Sequence, residues 1–271
     1  IGDLEKKAVT DVLTDEYLGM GQQVQDFEND LSEFFGRPTV CVSNGTAALQ
    51  LAIQACGIGM GDEVIVQSLT YVASFQAISA TGATPISCDV DPLTLTMDLN
   101  DAEKKITIRT KAIMPVHYGG GVGELEKIFK FAKTFNLRII EDAAHAFGTV
   151  YKRKLVGSFG DVACFSFDGI KTITSGEGGC IVTNDDLVLD KVKDLRLLGV
   201  IKDTENRFKK KRSWEFDVVD QGWRYHMSNI MAAIGSVQLK RANEFFRKRQ
   251  MLAKLYDNLL DDIGQIKLIH H

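Results

Sequence analysis

The stretch "FSFDGIKTITSGEGG", residues 165–179, joins two apolar runs, "ACFSF" (163–167) and "CIVT" (180–183). Short runs that are continuously apolar, rather than alternating, read as strands buried on both faces. Between these two lie turn residues, among them Gly176, Gly178 and Gly179 just before the second run, with no helical repeat. Successive parallel strands need a long crossover, so a return made of turn residues points to one antiparallel strand. The same stretch holds one lysine, Lys171. Taken alone, it reads as a solvated loop residue.

Working outward, five more runs of the same kind precede it: "TVCV" (39–42), "EVIV" (63–66), "TPISC" (84–88), "AIMPV" (112–116) and "RIIE" (138–141). Amphipathic segments such as "GTAALQLAIQAC" and "ELEKIFKFAKTF" separate several of them. Strand and helix in repetition predict an α/β fold, a three-layer sandwich around a mostly parallel sheet of about seven strands. Two helices are expected first, near 3–15 and 23–35, and another near 186–197. A polar stretch then leads to one long helix, "MSNIMAAIGSVQLKRANEFFRKRQMLAKLYDNLL", with Ser228 a candidate cap.

Composition narrows the function classes. The chain has 271 residues, 45% hydrophobic and 25% charged, enough for a large core. A formal net charge of −4 gives no general attraction for nucleic acid or anionic membrane. The run "KKKR" (209–212) sits beside Asp203, Glu205, Glu215 and Asp217 and reads as a solvated loop. Five cysteines, Cys41, Cys56, Cys88, Cys164 and Cys180, follow no bridge or zinc spacing, and most lie in strand runs as core residues. With no signal peptide or membrane span read in the sequence, a cytoplasmic location is expected. His270 and His271 are given no role.

Ligands of open α/β sheets bind beyond the carboxyl ends of the strands, so the segments after the runs carry the chemistry. "SNGTAAL" (43–49) places backbone N–H groups at a helix N-terminus, a site suited to phosphate. It matches neither dinucleotide nor P-loop glycine patterns, and on this segment alone plain N-capping by Ser43, Asn44 or Thr46 is the favoured reading. "EDAAHAFG" (141–148) ends a strand with a carboxylate, which is costly there without a cationic or donor partner. Asp142 could hold a metal, orient a base or face a protonated ring nitrogen. Metal is disfavoured, because His145 has no second ligand cluster to join and His117 and His226 stand alone. A phosphate cradle, a strand-end aspartate and Lys171 together are the parts that pyridoxal phosphate requires.

At this point the sequence resembles the fold-type I, sugar-modifying aminotransferases of the DegT/DnrJ/EryC1/StrS group. The likeness runs nearly end to end, through "SNGTAALQLA", "GDEVIV", "TYVAS", "DVDP", "PVHYGG", "EDAAHAFG", "FSFDGIKTITSGEGG" and "GWRYHMSNIMAAIGSVQL". The resemblance implies an aspartate aminotransferase-like large domain with pyridoxal 5′-phosphate as cofactor. It implies Lys171 as the Schiff-base residue and proton shuttle, and Asp142 as partner of the pyridine nitrogen. It implies Gly45, Thr46 and Ser166 at the phosphate, Tyr71 stacked on the ring and His145 near its face. Read from the residues alone, Tyr71 is a core tyrosine on a helix. A lysine at position 171 argues against the family's dehydratase branch, which carries histidine there.

The implied reaction passes an amino group from an amino acid, typically glutamate, to a keto group on a nucleotide-linked sugar, in a homodimer with its sites at the interface. Two departures stand out. The motif that usually reads G-x-N-Y-R is "GWRYHM" here, so Arg224 replaces the Asn that reaches the partner subunit's cofactor phosphate, and His226 replaces the Arg. Arginine can itself hold a phosphate, so Arg224 stays a cofactor-binding candidate. Family members also continue well beyond this point into a small C-terminal domain. Residues 1–225 are therefore expected to form the cofactor-binding domain, and 226–271 a long interdomain helix and the start of an incomplete one. A keto-cyclitol acceptor, or a binding protein that keeps the fold without turnover, are the alternatives.

Overall fold

The structure is a computed structural model that describes residues 1–211, 215–261, 263–265 and 269. Its first half runs α1 (Asp3–Thr14), α2 (Gln22–Phe35), β1 (Thr39–Val42), α3 (Gly45–Ala55), β2 (Glu63–Gln67), α4 (Val72–Ala80), β3 (Thr84–Cys88), α5 (Leu99–Lys104), β4 (Thr110–Met114) and α6 (Leu125–Thr134). Then come β5 (Arg138–Asp142), β6 (Val150–Tyr151), β7 (Lys154–Leu155), β8 (Val162–Ser166) and β9 (Gly179–Thr183). Helices α7 (Asp186–Leu195), α8 (Asp203–Phe208), α9 (Asn229–Lys240) and α10 (Ala242–Leu260) follow.

All seven apolar runs are strands of one sheet, ordered β1-β9-β8-β5-β4-β2-β3. Neighbours pair in parallel except β9, which runs antiparallel to both β8 and β1. The turn-rich link at 167–178 is therefore the hairpin that its composition predicted. Strands β1, β2, β8 and β9 are buried throughout, as expected, but β3 is an exposed edge. Pro85 sits there, where the missing N–H costs no interior ladder bond.

Alternation along each strand builds the layers. Val40, Val42, Val64, Val66, Ile140 and Cys164 face α3, α4 and α7. On the other side Cys41, Ala163, Phe165 and Cys180 meet α2 and α9 through Phe27, Phe35, Phe147 and Phe167. Helix α6 covers Ile65, Ile113 and Ile139 farther along that face. The fully buried Arg196, after α7, binds Glu28 of α2 and the Cys41 carbonyl of β1, tying three elements. All five cysteines are free, and burial pushes every thiol up, Cys56 and Cys88 to about 12, as inert core residues require.

Three features depart from the sequence reading. The long helix expected over 226–271 is two helices, broken at Arg241, whose guanidinium reaches the buried Glu5 carboxylate of α1 at 2.8 Å. Ser228 does cap the first of them, accepting from Met231 N–H. A small hairpin, β6–β7, turns through Lys152 and Arg153 with φ of 47° and 69°. Helix α8 lies inside the polar stretch. Lys209–Lys211 are exposed, as a solvated loop requires, and Arg212, His270 and His271 lie outside the described residues.

Candidate active site

The carboxyl ends of β1, β5 and β8 and the start of β9 lie at one edge of the sheet, and most predicted site residues meet there. After β1 the chain enters α3 with Asn44 as the cap, its side chain accepting from Ala47 N–H at 2.8 Å. The first helical N–H groups, on Gly45 and Thr46, have no helical carbonyl within reach and remain available to an anion. Gly45 is pressed against the end of β8: a Cβ there would lie 2.8 Å from Ser166 Cβ. Gly179 makes the same close approach on the other side, where a Cβ would fall 2.7 Å from the Asn44 carbonyl. Two glycines thus let a helix terminus and Ser166 converge on one small cradle.

Asp142 closes β5, buried, with its backbone N–H on the Pro115 carbonyl and its own carbonyl taking the His117 N–H. One carboxylate oxygen, Oδ2, accepts the Ser74 hydroxyl at 2.6 Å, and Oδ1 accepts Ala144 N–H at 3.2 Å. Beside it His117 Nε2 meets Glu141 Oε2 at 2.8 Å, both side chains buried. His145 follows Asp142 and accepts from Gly119 N–H at 3.3 Å through Nδ1. Burial, and then the charge of nearby Lys171, hold His145 below the ordinary histidine range against a smaller pull from Asp142. Burial and that charge both favour the neutral imidazole.

Lys171 sits half-buried in the β8–β9 loop. Its backbone N–H bonds the Asp168 carbonyl at 3.0 Å, and its carbonyl accepts from Arg249 Nη2 of α10 at 3.2 Å. The loop is pinned at its base by Phe167 N–H to Gly178 and by Ser175 N–H to Phe167. Gly176, at φ +83°, makes the turn that a side chain would strain. An open cavity of about 280 Å³ borders this loop and is lined by Lys171 itself, with Gly169, Thr172, Phe245, Lys248 and Arg249. Asp142, Ser166 and Gly45 lie outside its lining.

Tyr71 is the N-cap residue of α4, 74% exposed, so it is not the core tyrosine that its surroundings predict. Its ring is free to cover a ligand. Arg224 is exposed. Its segment bridges Leu197 on one side, and on the other His226 pairs with Val42 and the Tyr225 carbonyl accepts Ser43 N–H at 2.7 Å, next to the start of α3. Two residues of the site were missed in the sequence: Ser74, hidden at the end of "TYVAS", and Gly179, taken only for turn chemistry. Among the described residues no group of three His, Cys, Asp or Glu side chains could hold a metal ion.

The residues fit pyridoxal phosphate: glycine-lined N–H donors for the phosphate, a buried carboxylate for the ring nitrogen, and a lysine on the loop above. A sheet with a single antiparallel strand and this edge defines the pyridoxal-phosphate-dependent transferases of aspartate aminotransferase-like fold. The model of the DegT/DnrJ/EryC1/StrS aminotransferase family matches residues 1–271, and the chain belongs to that family. It is 44% identical over 264 residues to GDP-perosamine synthase of Escherichia coli O157:H7, covering 97% of this chain and 70% of that one. With dTDP-4-dehydro-2,3,6-trideoxy-D-glucose 4-aminotransferase of Saccharopolyspora spinosa it shares 35% over 273 residues, 99% of this chain and 71% of the relative. Spr1654 of Streptococcus pneumoniae, solved in its PLP form, superposes with a TM-score of 0.88 at 32% identity, over 97% and 70% of the two chains. The chain is a pyridoxal-phosphate-dependent aminotransferase.

Proposed function

We propose that this aminotransferase carries an amino group from glutamate to a keto group of a nucleotide-linked sugar, in sugar or polysaccharide biosynthesis. The observation that carries it is the convergence of Gly45, at the N-terminus of α3, on Ser166, at the sheet edge where β5 ends in the buried Asp142, with Lys171 following on the β8–β9 loop. The names of the relatives, a GDP-sugar and a dTDP-sugar enzyme, support the acceptor class.

Bound pyridoxal phosphate supplies an electron sink that stabilises negative charge on the carbon next to the transferred nitrogen. Gly45 and Thr46 N–H, with Ser166 Oγ, would hold the phosphate. Asp142 would hold the ring nitrogen as a cation, and Tyr71 would cover one ring face. Lys171 Nζ would anchor the cofactor at rest and, when released, serve as the base and acid that moves the proton. His145 would lie near the ring face.

We infer a homodimer with sites at the interface. Arg224, exposed on the segment that pairs with the end of β1, is then able to reach the partner subunit's cofactor phosphate. Residues 1–225 are assigned as the cofactor-binding domain and 226–271 as the link toward a smaller one. Apolar residues that α10 leaves exposed on one side, Met251, Leu255 and Leu259, support that link. Among the described residues no helix is long and apolar enough to cross a membrane. We assign the cytoplasm as its compartment.

Purified protein mixed with pyridoxal phosphate is expected to turn yellow, and borohydride to fix the cofactor on Lys171 by peptide mass. Lys171→Ala is expected to lose that adduct. A Lys171→Ala protein carrying the same reduced adduct would refute the assignment. Glutamate is expected to bleach the visible band, and a nucleotide-linked keto-sugar to restore it. A band indifferent to glutamate would support a binding protein instead.

A further inference from the structure

We propose that Ser74, backed by Thr70, is a positioning residue that fixes the plane of the Asp142 carboxylate and so sets where the cofactor ring sits. This rests on the assignment of Asp142 to the ring nitrogen. Ser74 is fully buried on the first turn of α4, and its hydroxyl lies 2.6 Å from Asp142 Oδ2. Thr70 Oγ1 lies 2.7 Å from Ser74 Oγ. A serine on a helix ordinarily turns its hydroxyl back to a carbonyl of its own helix or out to water. Packing alone would be served by alanine, the better helix former. Ser74 instead spends its one hydrogen on a strand-end carboxylate of a different layer.

That geometry answers a need which Asp142 cannot meet itself. The terminal torsion of aspartate is broad, so its own rotamer preferences leave the carboxylate plane loose. Ala144 N–H on Oδ1 and Ser74 O–H on Oδ2 fix the plane from two sides. A carboxylate offers about four lone-pair positions, so these two donors leave room for a ring N–H. With its hydrogen committed to Asp142, Ser74 can only accept from Thr70. The two hydroxyls therefore form a directed chain that ends on the acid, each bond polarising the next.

The same turn begins with Tyr71, whose carbonyl accepts the Ser74 N–H at 3.1 Å. Tyr71 is the N-cap of that turn, extended and exposed, whereas Ser74 is buried within it. With Tyr71 assigned to the ring face, one element would carry both the stacking ring and the residue that steadies the acid.

The test is a double-mutant cycle on pyridoxal phosphate affinity, read by titrating the visible band, with Ser74→Ala, Asp142→Ala and the double variant. Apoprotein melting temperatures monitor the fold. Ser74→Ala is expected to weaken binding about tenfold, the loss of one hydrogen bond to a charged group. Thr70→Val should act in the same direction and less. In the Asp142→Ala background, Ser74→Ala is expected to change affinity less than about twofold, because its only route to the cofactor is gone. An equal loss in both backgrounds, or none in either, would overturn the proposal, the first by showing a packing role. If Asp142→Ala itself binds cofactor as well as the parent, the underlying assignment fails and this inference with it. Should Ser74→Ala melt far below the parent, Ser74→Thr, which keeps the hydroxyl, is the second arm, and failure to restore affinity counts against us.

Discussion

His226 shows how a single side chain can be legible in type and opaque in consequence. The sequence marked it as the residue that breaks the family motif, and nothing more. In the fold, burial and then Arg207, Arg224 and Arg196 push its pKa down to about 4, with Asp203 opposing, and its Nδ1 is buried without a hydrogen-bond partner. An unfolded chain would bind that proton near the ordinary histidine value of about 6.5. Between those two values the unfolded state holds more protons, so stability is complete above about 6.5 and lost as pH falls toward 4. His226→Gln is therefore expected to flatten the fall in melting temperature between pH 7 and 5. An unchanged slope would place the acid sensitivity elsewhere. Asp142 was legible because a carboxylate is rare at the end of a buried strand, whereas Lys171 drew notice only in combination with it and the resemblance. Ser74 escaped because its role is set by a carboxylate that only the packing of α4 on β5 brings near.

Among the elements, strands were readable because both faces of the inner ones are buried, which leaves unbroken apolar runs. The break between α9 and α10 was not, since no glycine or proline marks it. It is made by a tertiary pull, Arg241 reaching Glu5. The β6–β7 turn was missed for a related reason: lysine and arginine occupy positive φ there, positions where Asn-Gly is the usual signal. Helix α9 carries a sharper constraint. A Cβ on Gly235 would lie 2.6 Å from the Phe27 ring of α2, so the helices cross at a bare backbone. Alanine there gains about 0.5–1 kcal/mol of helix propensity, while overpacking costs about 1–3 kcal/mol. Packing wins, and Gly235→Ala is expected to lower stability in urea unfolding. A more stable variant would mean that Phe27 has room to move.

For the whole molecule, α2, β1 and α7 are joined by the Arg196–Glu28 pair inside the core. Replacing one partner leaves the other charged and dry, at a cost of about 3–5 kcal/mol. Arg196→Met is thus expected to lower the melting temperature by on the order of 10 °C. Adding Glu28→Gln should restore part of it, and a double variant no better than the single would show that packing rather than charge is at stake. The antiparallel course of β9 reaches further. Because Ser166 pairs directly with Gly179, both ends of the lysine loop are anchored side by side at the ligand edge. A parallel strand would have carried the chain across the sheet before returning. The loop is short and self-bonded, so its closure sacrifices little chain entropy. The Lys171 backbone is thus held on both sides, by Asp168 and by Arg249, before any cofactor arrives, so cofactor capture need order only the side chain.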